Sequence, residues 1–172
     1  MPLAQSASGP EGEFIRQGSG LPGDGGVVSY SVDVNLLVFA SNEGSAEQSR
    51  AKTFLEERQR DPDLFCLTWP VLCGYQRIVT HPSIFRNPLD PGQAWANVRG
   101  LLAWPRVRVV GEEASFGEDF GQVVEKMSVR GNAVPDAHVA TLLRQHGVNR
   151  IYSTDTDFRK FSFLEVINPL EK

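Results

Sequence analysis

Positive charge is in short supply in this sequence. Its 172 residues include 17 lysines and arginines against 21 aspartates and glutamates, which gives a formal net charge of -4 at pH 7. Non-specific binding to nucleic acid depends on neutralising phosphates with lysine and arginine, so this balance argues against binding by bulk charge. RNA or DNA would have to be held by a local basic patch or through a bound cation.

Cysteine and long apolar runs are scarce as well. The two cysteines, Cys66 and Cys73, have no second Cys or His pair at zinc spacing, which argues against a zinc centre. We interpret both as small buried hydrophobic residues in a reducing compartment. No apolar run approaches the ~18 residues that a transmembrane helix requires. These absences predict a cytoplasmic protein that does not enter a membrane.

Residues 1–26 differ in composition from the rest of the chain. The segment is rich in glycine, serine and proline and has few apolar residues. It therefore buries too little surface to offset the entropy lost on ordering. It also lacks the basic start and the apolar centre of a signal peptide. We expect a disordered leader at 1–26 and a single folded domain at 27–172.

Short apolar runs alternate with amphipathic segments along the rest of the chain. The runs VVSYSVDV, DLFCLT, RVRVV, NRIYS and LEVINP have the length and composition of strands, and six helical patterns separate the first four. Strands separated by helices predict a parallel sheet covered on both faces. We therefore expect an α/β fold with three α/β/α layers and a central, mainly parallel sheet of four to five strands.

Three aspartates stand at positions that this architecture brings to one edge of the sheet. Asp33 ends the first strand, Asp136 opens a long helix, and Asp155 follows the fourth strand, with Asp157 two residues later. In such folds the ligand site lies at the carboxyl ends of the strands, and the helices begin at the same edge. Each aspartate alone is explained at least as well by helix or turn capping. Their convergence is not required by local turn chemistry.

A cluster of carboxylates implies a bound cation or bound protons. Like charges held close together repel unless some are neutralised. Hard oxygen ligands suit Mg²⁺ or Mn²⁺. Such an ion can activate water and neutralise phosphate during phosphodiester hydrolysis. The sequence therefore predicts Mg²⁺ or Mn²⁺ as the cofactor of a phosphodiester-hydrolysing site.

Three blocks of the chain resemble the PIN-domain ribonucleases. They are SVDVNLLVFA, GNAVPDAHVATLLRQHG and IYSTDTDFRKFSFLEVINPL, they occur in the family's order, and the similarity extends from about Ser29 to Leu170. Within that family the chain resembles the VapC toxins of type II VapBC toxin–antitoxin modules, which Thr80-His81-Pro82 also suits. The resemblance implies a PIN-like (Rossmannoid) fold, an endoribonuclease dependent on Mg²⁺ or Mn²⁺, a cognate VapB-like antitoxin and a homodimer.

The resemblance also implies roles for individual residues. Asp33, Asp136 and Asp155 match the catalytic, metal-binding acids, and Asp157 matches a more variable fourth ligand. A further set matches polar positions that support the acids by hydrogen bonds: Asn35, Asn132, Ser153 and Thr154. RNA is the implied substrate, with products that carry a 5′-phosphate and a 3′-hydroxyl.

One position departs from the family pattern. Many PIN ribonucleases carry a glutamate in the helix after the second strand, where this chain has Gly74. The substitution reduces the negative charge of the site, which implies either weaker metal binding or a larger share of the metal binding on Asp155 and Asp157. Arg77, about one turn further along, could contact an RNA phosphate or could be a partly exposed arginine with no ligand.

Two other classes of function remain open from the sequence. A degenerate PIN module would bind RNA or an antitoxin without cutting, and Gly74 motivates that alternative. A phosphotransfer fold, receiver-like or haloacid-dehalogenase-like, also places an aspartate after its first strand. The haloacid-dehalogenase type needs a second acid two residues later, where this chain has Asn35, and a catalytic lysine after a late strand is not evident.

Overall fold

The computed structural model describes residues 28–85 and 87–171, so the leader predicted at residues 1–26 lies outside the described residues. The strands are β1 (Ser29–Val32), β2 (Leu64–Thr68), β3 (Val107–Val110), β4 (Arg150–Tyr152) and β5 (Glu165–Ile167). The helices are α1 (Val34–Ser41), α2 (Gln48–Arg58), α3 (Trp69–Val79), α4 (Pro91–Leu102), α5 (Phe116–Met127) and α6 (Ala133–Gln145), followed by a short 3-10 helix (Thr156–Lys160).

The strands form one sheet in the order β3-β2-β1-β4-β5, and every neighbouring pair is parallel. The predicted α/β fold with a parallel sheet is confirmed. The chain moves outwards from β1 to β2 and β3 and then returns past β1 to β4. Right-handed crossovers therefore put α1 to α4 on one face and α5 with α6 on the other. The direction of winding reverses between β1 and β4, which is where such folds open a crevice for ligands.

Local signals set where the helices start and stop. The hydroxyl of Thr68 accepts a hydrogen bond from the N–H of Val71 at 3.4 Å at the start of α3. Asp90 and Gln93 form a capping box at the start of α4, where Pro91 takes the first helical position. Gly147 has φ +66° just after α6, a left-handed conformation that ends helices and favours glycine. These signals define the starts of α3 and α4 and the end of α6.

The core lies on both faces of β1, β2 and β4. Val32, Leu67 and Ile151 are fully buried, as expected for strands covered on both faces. Cys66 is buried in β2, but Cys73 is exposed on α3, so the prediction that both cysteines are buried is wrong for Cys73. α3 directs Leu72 and Tyr75 inwards, which leaves Cys73 on its solvent side.

One cation is enclosed by aromatic rings between α2 and the sheet. The Arg58 guanidinium carbon lies 5.8, 5.2 and 5.7 Å from the ring centroids of Tyr30, Phe54 and Tyr152. Its Nη1 also reaches Oδ2 of Asp61 at 3.0 Å and donates to the Tyr152 hydroxyl at 3.4 Å. These five residues are called the Arg58 cluster below. It combines cation–π attraction with an ion pair in a largely apolar setting.

No helix among residues 28–85 and 87–171 has both the length and the apolar character needed to cross a bilayer.

Candidate metal centre

Three carboxylates gather where α6 begins and where the chain leaves β4. One carboxylate oxygen from each of Asp136, Asp155 and Asp157 lies within 4.8 Å of the others. Asp136 comes from the first turn of α6, Asp155 caps the 3-10 helix, and Asp157 lies in the first turn of that helix. These three residues are called the acidic cluster below. Their separation is short enough for one ion to be shared between them.

Asp33 lies beside this cluster but outside the group of three. It follows β1 at the N-cap position of α1, and only 6% of its surface is exposed. Its Oδ2 accepts a hydrogen bond from the Ser153 hydroxyl at 2.9 Å, and its side chain makes no capping bond to α1. The hydrogen bond ties the end of β1 to the end of β4. The bond from Ser153 therefore holds Asp33 in the site, and the backbone N–H groups of Val34 and Asn35 also act to lower its pKa.

A short series of hydrogen bonds links Asp33 to the acidic cluster. The buried Ser153 hydroxyl donates to Asp33 and accepts from the backbone N–H of Asp155 at 2.9 Å. Oδ1 of Asp155 then accepts from the N–H of Asp157 at 2.8 Å. The turn after β4 is thus fixed by its own side chains. This arrangement aims the carboxylates of Asp155 and Asp157 towards Asp136.

The pKa shifts in the site show that nearby positive charges of the protein do not balance its negative charge. Partial burial, followed by the charges of Asp33 and Asp155, raises the pKa of Asp136 to about 6. Burial also raises the pKa of Asp33, although the hydrogen bond from Ser153 opposes the shift. Both shifts mean that placing another negative charge here costs free energy. A cation in the crevice would relieve that cost.

Lys160 supplies a counter-charge whose role sequence analysis missed. Its Nζ lies 3.8 Å from Oδ1 of Asp157, and its charge acts to lower the pKa of Asp136. The i,i+3 spacing from Asp157 on a helical turn was the signal that could have identified it. The lysine side chain is 30% exposed and the aspartate side chain 66%. Water therefore screens this pair, and it offsets the acidic cluster only in part.

Gly74 lies next to the first residue of α1. A Cβ built at this glycine would be 3.5 Å from Cγ2 of Val34, which is an ordinary van der Waals distance. Packing therefore does not require glycine here. Since Val34 follows Asp33, a longer side chain at position 74 would start beside the metal centre.

The other residues predicted for the site lie around it with fewer contacts. Ser153 makes the two bonds described above. Asn35 is half-buried in α1, and Asn132 is exposed at the N-cap position of α6 without a side-chain capping bond. Thr154 is half-buried, and Arg77 is exposed in the last turn of α3. Their assignment as supporting or RNA-binding residues stays a prediction.

The donor set fits a hard divalent cation. Three carboxylate oxygens come together at the crevice, the nearby acids have raised pKa values, and the lysine beside them is partly solvated. Mg²⁺ and Mn²⁺ prefer oxygen ligands, and Mg²⁺ usually takes one or two protein carboxylates and completes its shell with water and phosphate. Asp136, Asp155 and Asp157 would hold the ion, with Asp33 behind them.

Comparison with curated proteins finds a relative over most of the chain. No protein-family model matches the sequence. It is 41% identical over 142 residues to Ribonuclease VapC48 of Mycobacterium tuberculosis, and the alignment covers 83% of this chain and 98% of that protein. This level of identity across nearly the whole relative is enough to establish common family membership.

Solved structures of low sequence identity share the fold. Mycobacterium tuberculosis VapC20, a toxin that cleaves the sarcin-ricin loop, matches with a TM-score of 0.60 and 23% identity over 80% of this chain and 98% of that one. VapBC2 of Rickettsia felis, bound to a DNA fragment from its promoter, matches with a TM-score of 0.59 and 16% identity over 82% and 98% of the two chains.

Proposed function

The chain belongs to the family of VapC ribonucleases, and from this premise we propose that Asp33, Asp136, Asp155 and Asp157 form its active site and use Mg²⁺ or Mn²⁺ to hydrolyse RNA. The observation that supports the proposal is the acidic cluster, whose three carboxylate oxygens lie within 4.8 Å at the start of α6 and the end of β4. Family membership accounts for the ribonuclease and toxin functions. The proposal assigns the active-site residues and the metal.

The residues of the site have two roles: some would bind the ion, and others fix the orientation of those ligands. Asp136, Asp155 and Asp157 offer oxygens to the ion, and Ser153 fixes Asp33 and the turn that carries Asp155. When bound, the ion would polarise the phosphodiester and make an attacking water more acidic. Lys160 lies at the rim, where it can attract a phosphate group to an otherwise negative site.

The partners follow from the same proposal. The substrate is RNA, and a cognate VapB-like antitoxin neutralises the protein in the cytoplasm. The Rickettsia felis relative is a VapBC assembly, which supports an antitoxin partner. We also propose a homodimer in solution. A small gene just upstream that encodes a DNA-binding protein would support the antitoxin, and light scattering on the purified chain would test the dimer.

The test of the active site is RNA cleavage by purified protein with and without Mn²⁺. We expect cleavage that needs the ion and falls by at least about 100-fold in Asp33→Ala and in Asp136→Ala, since each removes a carboxylate from the reacting site. Glu56→Ala is the matched control, because this acid is exposed on α2 away from the site. Equal cleavage by all four proteins would overturn the proposed site.

Induced expression distinguishes the catalytic protein from a non-cutting module. We expect wild type and Glu56→Ala to arrest growth and the two active-site variants to be harmless. Growth arrest by all the variants would show that the acids are not the source of toxicity. Binding of RNA without any cleavage in Mn²⁺, unchanged by Asp33→Ala, would favour the degenerate module that Gly74 motivates.

A further inference from the structure

A second concave site lies away from the acidic cluster, between α5, α6 and the segment before β5. It is a cavity of about 290 Å³ lined by Val123, Lys126, Met127, Arg144, Ser162 and Phe163. We call it the basic pocket. Its lining contains two cations, a hydroxyl and an aromatic ring, and no acid. That chemistry is the reverse of the metal centre's.

The two cations of the basic pocket are available to a ligand. Lys126 lies near the end of α5 and Arg144 in the last turn of α6, and both are exposed. Among the described residues neither forms a salt bridge, although seven other pairs do. The whole chain carries a net charge of -4. Most of the described lysines and arginines form no salt bridge either, so the distinctive feature is that Lys126 and Arg144 line the same cavity and no acid lines it with them, which suits an anion.

The aromatic ring gives the pocket a second kind of contact. The Arg144 guanidinium carbon lies 5.6 Å from the ring centroid of Phe163, and that ring is half-buried against Phe161 at 6.2 Å. Phe163 thus contacts a neighbouring ring and a planar cation, and it also lines the cavity. Proteins that hold single-stranded nucleic acid combine such aromatic platforms with lysine or arginine on the phosphates. A binding site for an inorganic anion alone would not require the aromatic ring.

Two elements connect the basic pocket to the metal centre. α6 carries Asp136 in its first turn and Arg144 in its last, a rise of about 12 Å along the axis. The 3-10 helix begins after Asp155 and ends at Lys160, two residues before Ser162. Along the chain, Lys160 therefore lies between Asp157 and Ser162. α6 and the segment after the 3-10 helix thus carry residues of both sites.

We propose that the basic pocket is an accessory RNA-binding site, in which Lys126 and Arg144 bind a phosphate group and a base stacks on Phe163. This rests on the proposed function, because it assumes that RNA is the substrate. Such a site explains how a protein with a net negative charge and an acidic active site binds RNA, which is itself a polyanion. The pocket adds affinity at nucleotides outside the cleaved bond.

The test is equilibrium binding of a labelled single-stranded RNA 12-mer in EDTA, so that cleavage does not interfere. We expect the double variant Lys126→Gln/Arg144→Gln to bind at least about tenfold more weakly than wild type. Its log K against log salt slope should be less steep by about 0.7, since the one phosphate contact that the two cations share is lost. Lys52→Gln/Arg99→Gln is the control of equal charge change, made at exposed sites on α2 and α4.

Phe163→Leu tests the stacking contact separately. We expect about 5- to 10-fold weaker RNA binding with an unchanged salt slope, because a base loses its platform and no charge is altered. A thermal midpoint for each variant shows whether it folds. If Phe163→Leu unfolds, the double variant still decides the proposal, because both of its substitutions are on exposed side chains.

The outcomes separate this proposal from the proposed function. If wild type binds the 12-mer and the double variant binds it equally with the same salt slope, the accessory site is wrong and the active-site proposal stands. If wild type has no affinity for RNA and no Mn²⁺-dependent cleavage, both fall. If the double variant loses affinity for polyglutamate but keeps it for RNA, the pocket docks an acidic protein segment and the RNA proposal is overturned.

Discussion

The Arg58 cluster and the acidic cluster deal with charge in opposite ways. In the first, a guanidinium is shared by three rings, a hydroxyl and Asp61, and the side chains of Arg58 and Asp61 are only 20% and 14% exposed. In the second, three carboxylates gather beside buried Asp33, and the nearby Lys160 pairs with an Asp157 side chain that is 66% exposed. In the first region the charge has its counter-charge in place, although Nε of Arg58 and the Tyr30 hydroxyl are buried without a hydrogen-bond partner. In the second region the negative charge is not balanced.

The difference separates a region that stabilises the fold from the region that we propose as the active site. A cation whose partners are all in place contributes to folding, and removing it leaves those partners uncompensated. Carboxylates without enough counter-charge reduce stability until an ion arrives. The raised pKa values of Asp33 and Asp136 are the signature of the second case. Variants in the two regions should therefore change stability in opposite directions.

The largest effect is expected from Arg58→Met. It removes the cation from three rings and leaves Asp61 without its partner at 3.0 Å, so we expect the free energy of unfolding to fall by about 2–3 kcal/mol. Urea denaturation without metal measures it. Arg60→Met, at an exposed neighbouring arginine, should change stability by less than about 0.5 kcal/mol. Equal stability of the two variants would show that the Arg58 cluster does not stabilise the fold.

Asp136→Asn should stabilise the metal-free protein by about 1–2 kcal/mol at pH 7, after allowing for screening by solvent. The native pKa of Asp136 is raised from 3.8 to about 6, so the native state holds this proton more tightly than the unfolded state. The free energy of unfolding of wild type therefore falls as pH rises from about 4 to about 6. In Asp136→Asn, the part of this decrease in the free energy of unfolding that comes from Asp136 should be absent.

Urea titrations at pH 4 and pH 7 in EDTA check the Asp136 prediction, with Glu56→Gln as the exposed-acid control. The two proteins should differ little at pH 4, where Asp136 is protonated, and most at pH 7. Adding Mn²⁺ should stabilise wild type and have a smaller effect on Asp136→Asn. A variant that is less stable than wild type at pH 7 would show that the site's charge is already balanced.

Ser153→Ala should weaken Mn²⁺ binding by about tenfold. The hydroxyl holds Asp33 and the N–H of Asp155, and losing such a supporting bond lowers metal affinity by about 10- to 100-fold. Titration calorimetry with Mn²⁺ measures the affinity. Ser49→Ala, on the exposed side of α2, is the control and should match wild type. Unchanged affinity would assign Ser153 to folding alone.

The smallest effect is expected at Gly74. Gly74→Ala should stabilise the protein by about 0.5–1 kcal/mol, because a Cβ there has room beside Val34 and glycine is costly inside a helix. Gly74→Glu adds the same Cβ and one more negative charge beside Asp33. Compared with alanine it should be less stable in EDTA and gain more from Mn²⁺, as thermal unfolding would show. Equal responses to Mn²⁺ would place residue 74 outside the charged site.

The meeting of the acids could be predicted from the order of elements alone. In a parallel sheet the ends of β1 and β4 and the start of α6 share an edge, so Asp33, Asp136 and Asp155 had to arrive there. Their separations could not be predicted. The 3-10 turn brings Asp157 into the group of three, while Asp33 stays outside that group and accepts a hydrogen bond from Ser153. Both depend on side-chain geometry at distances that no sequence pattern encodes.

Other features were visible in the sequence only in part. Helical spacing from Trp69 and Arg77 puts Cys73 on the outer side of α3, so its exposure could have been predicted. The Arg58 cluster could not, because its rings come from α2, β1 and β4 and meet only in the tertiary structure. Contacts between residues that are distant in the sequence cannot be predicted from local sequence patterns.

The hydrogen bond between Asp33 and Ser153 also bears on how the protein is made. The two residues are separated by 120 positions, a distance that a ribosome covers in about 6–24 s. Until Ser153 and Asp155 emerge, a nascent chain carries the first acid of the site without its support or its companions. Premature termination anywhere between them therefore yields a fragment without an assembled acidic site. Because the proposed active site draws on both ends of the folded domain, its activity would be one of the last properties that synthesis confers.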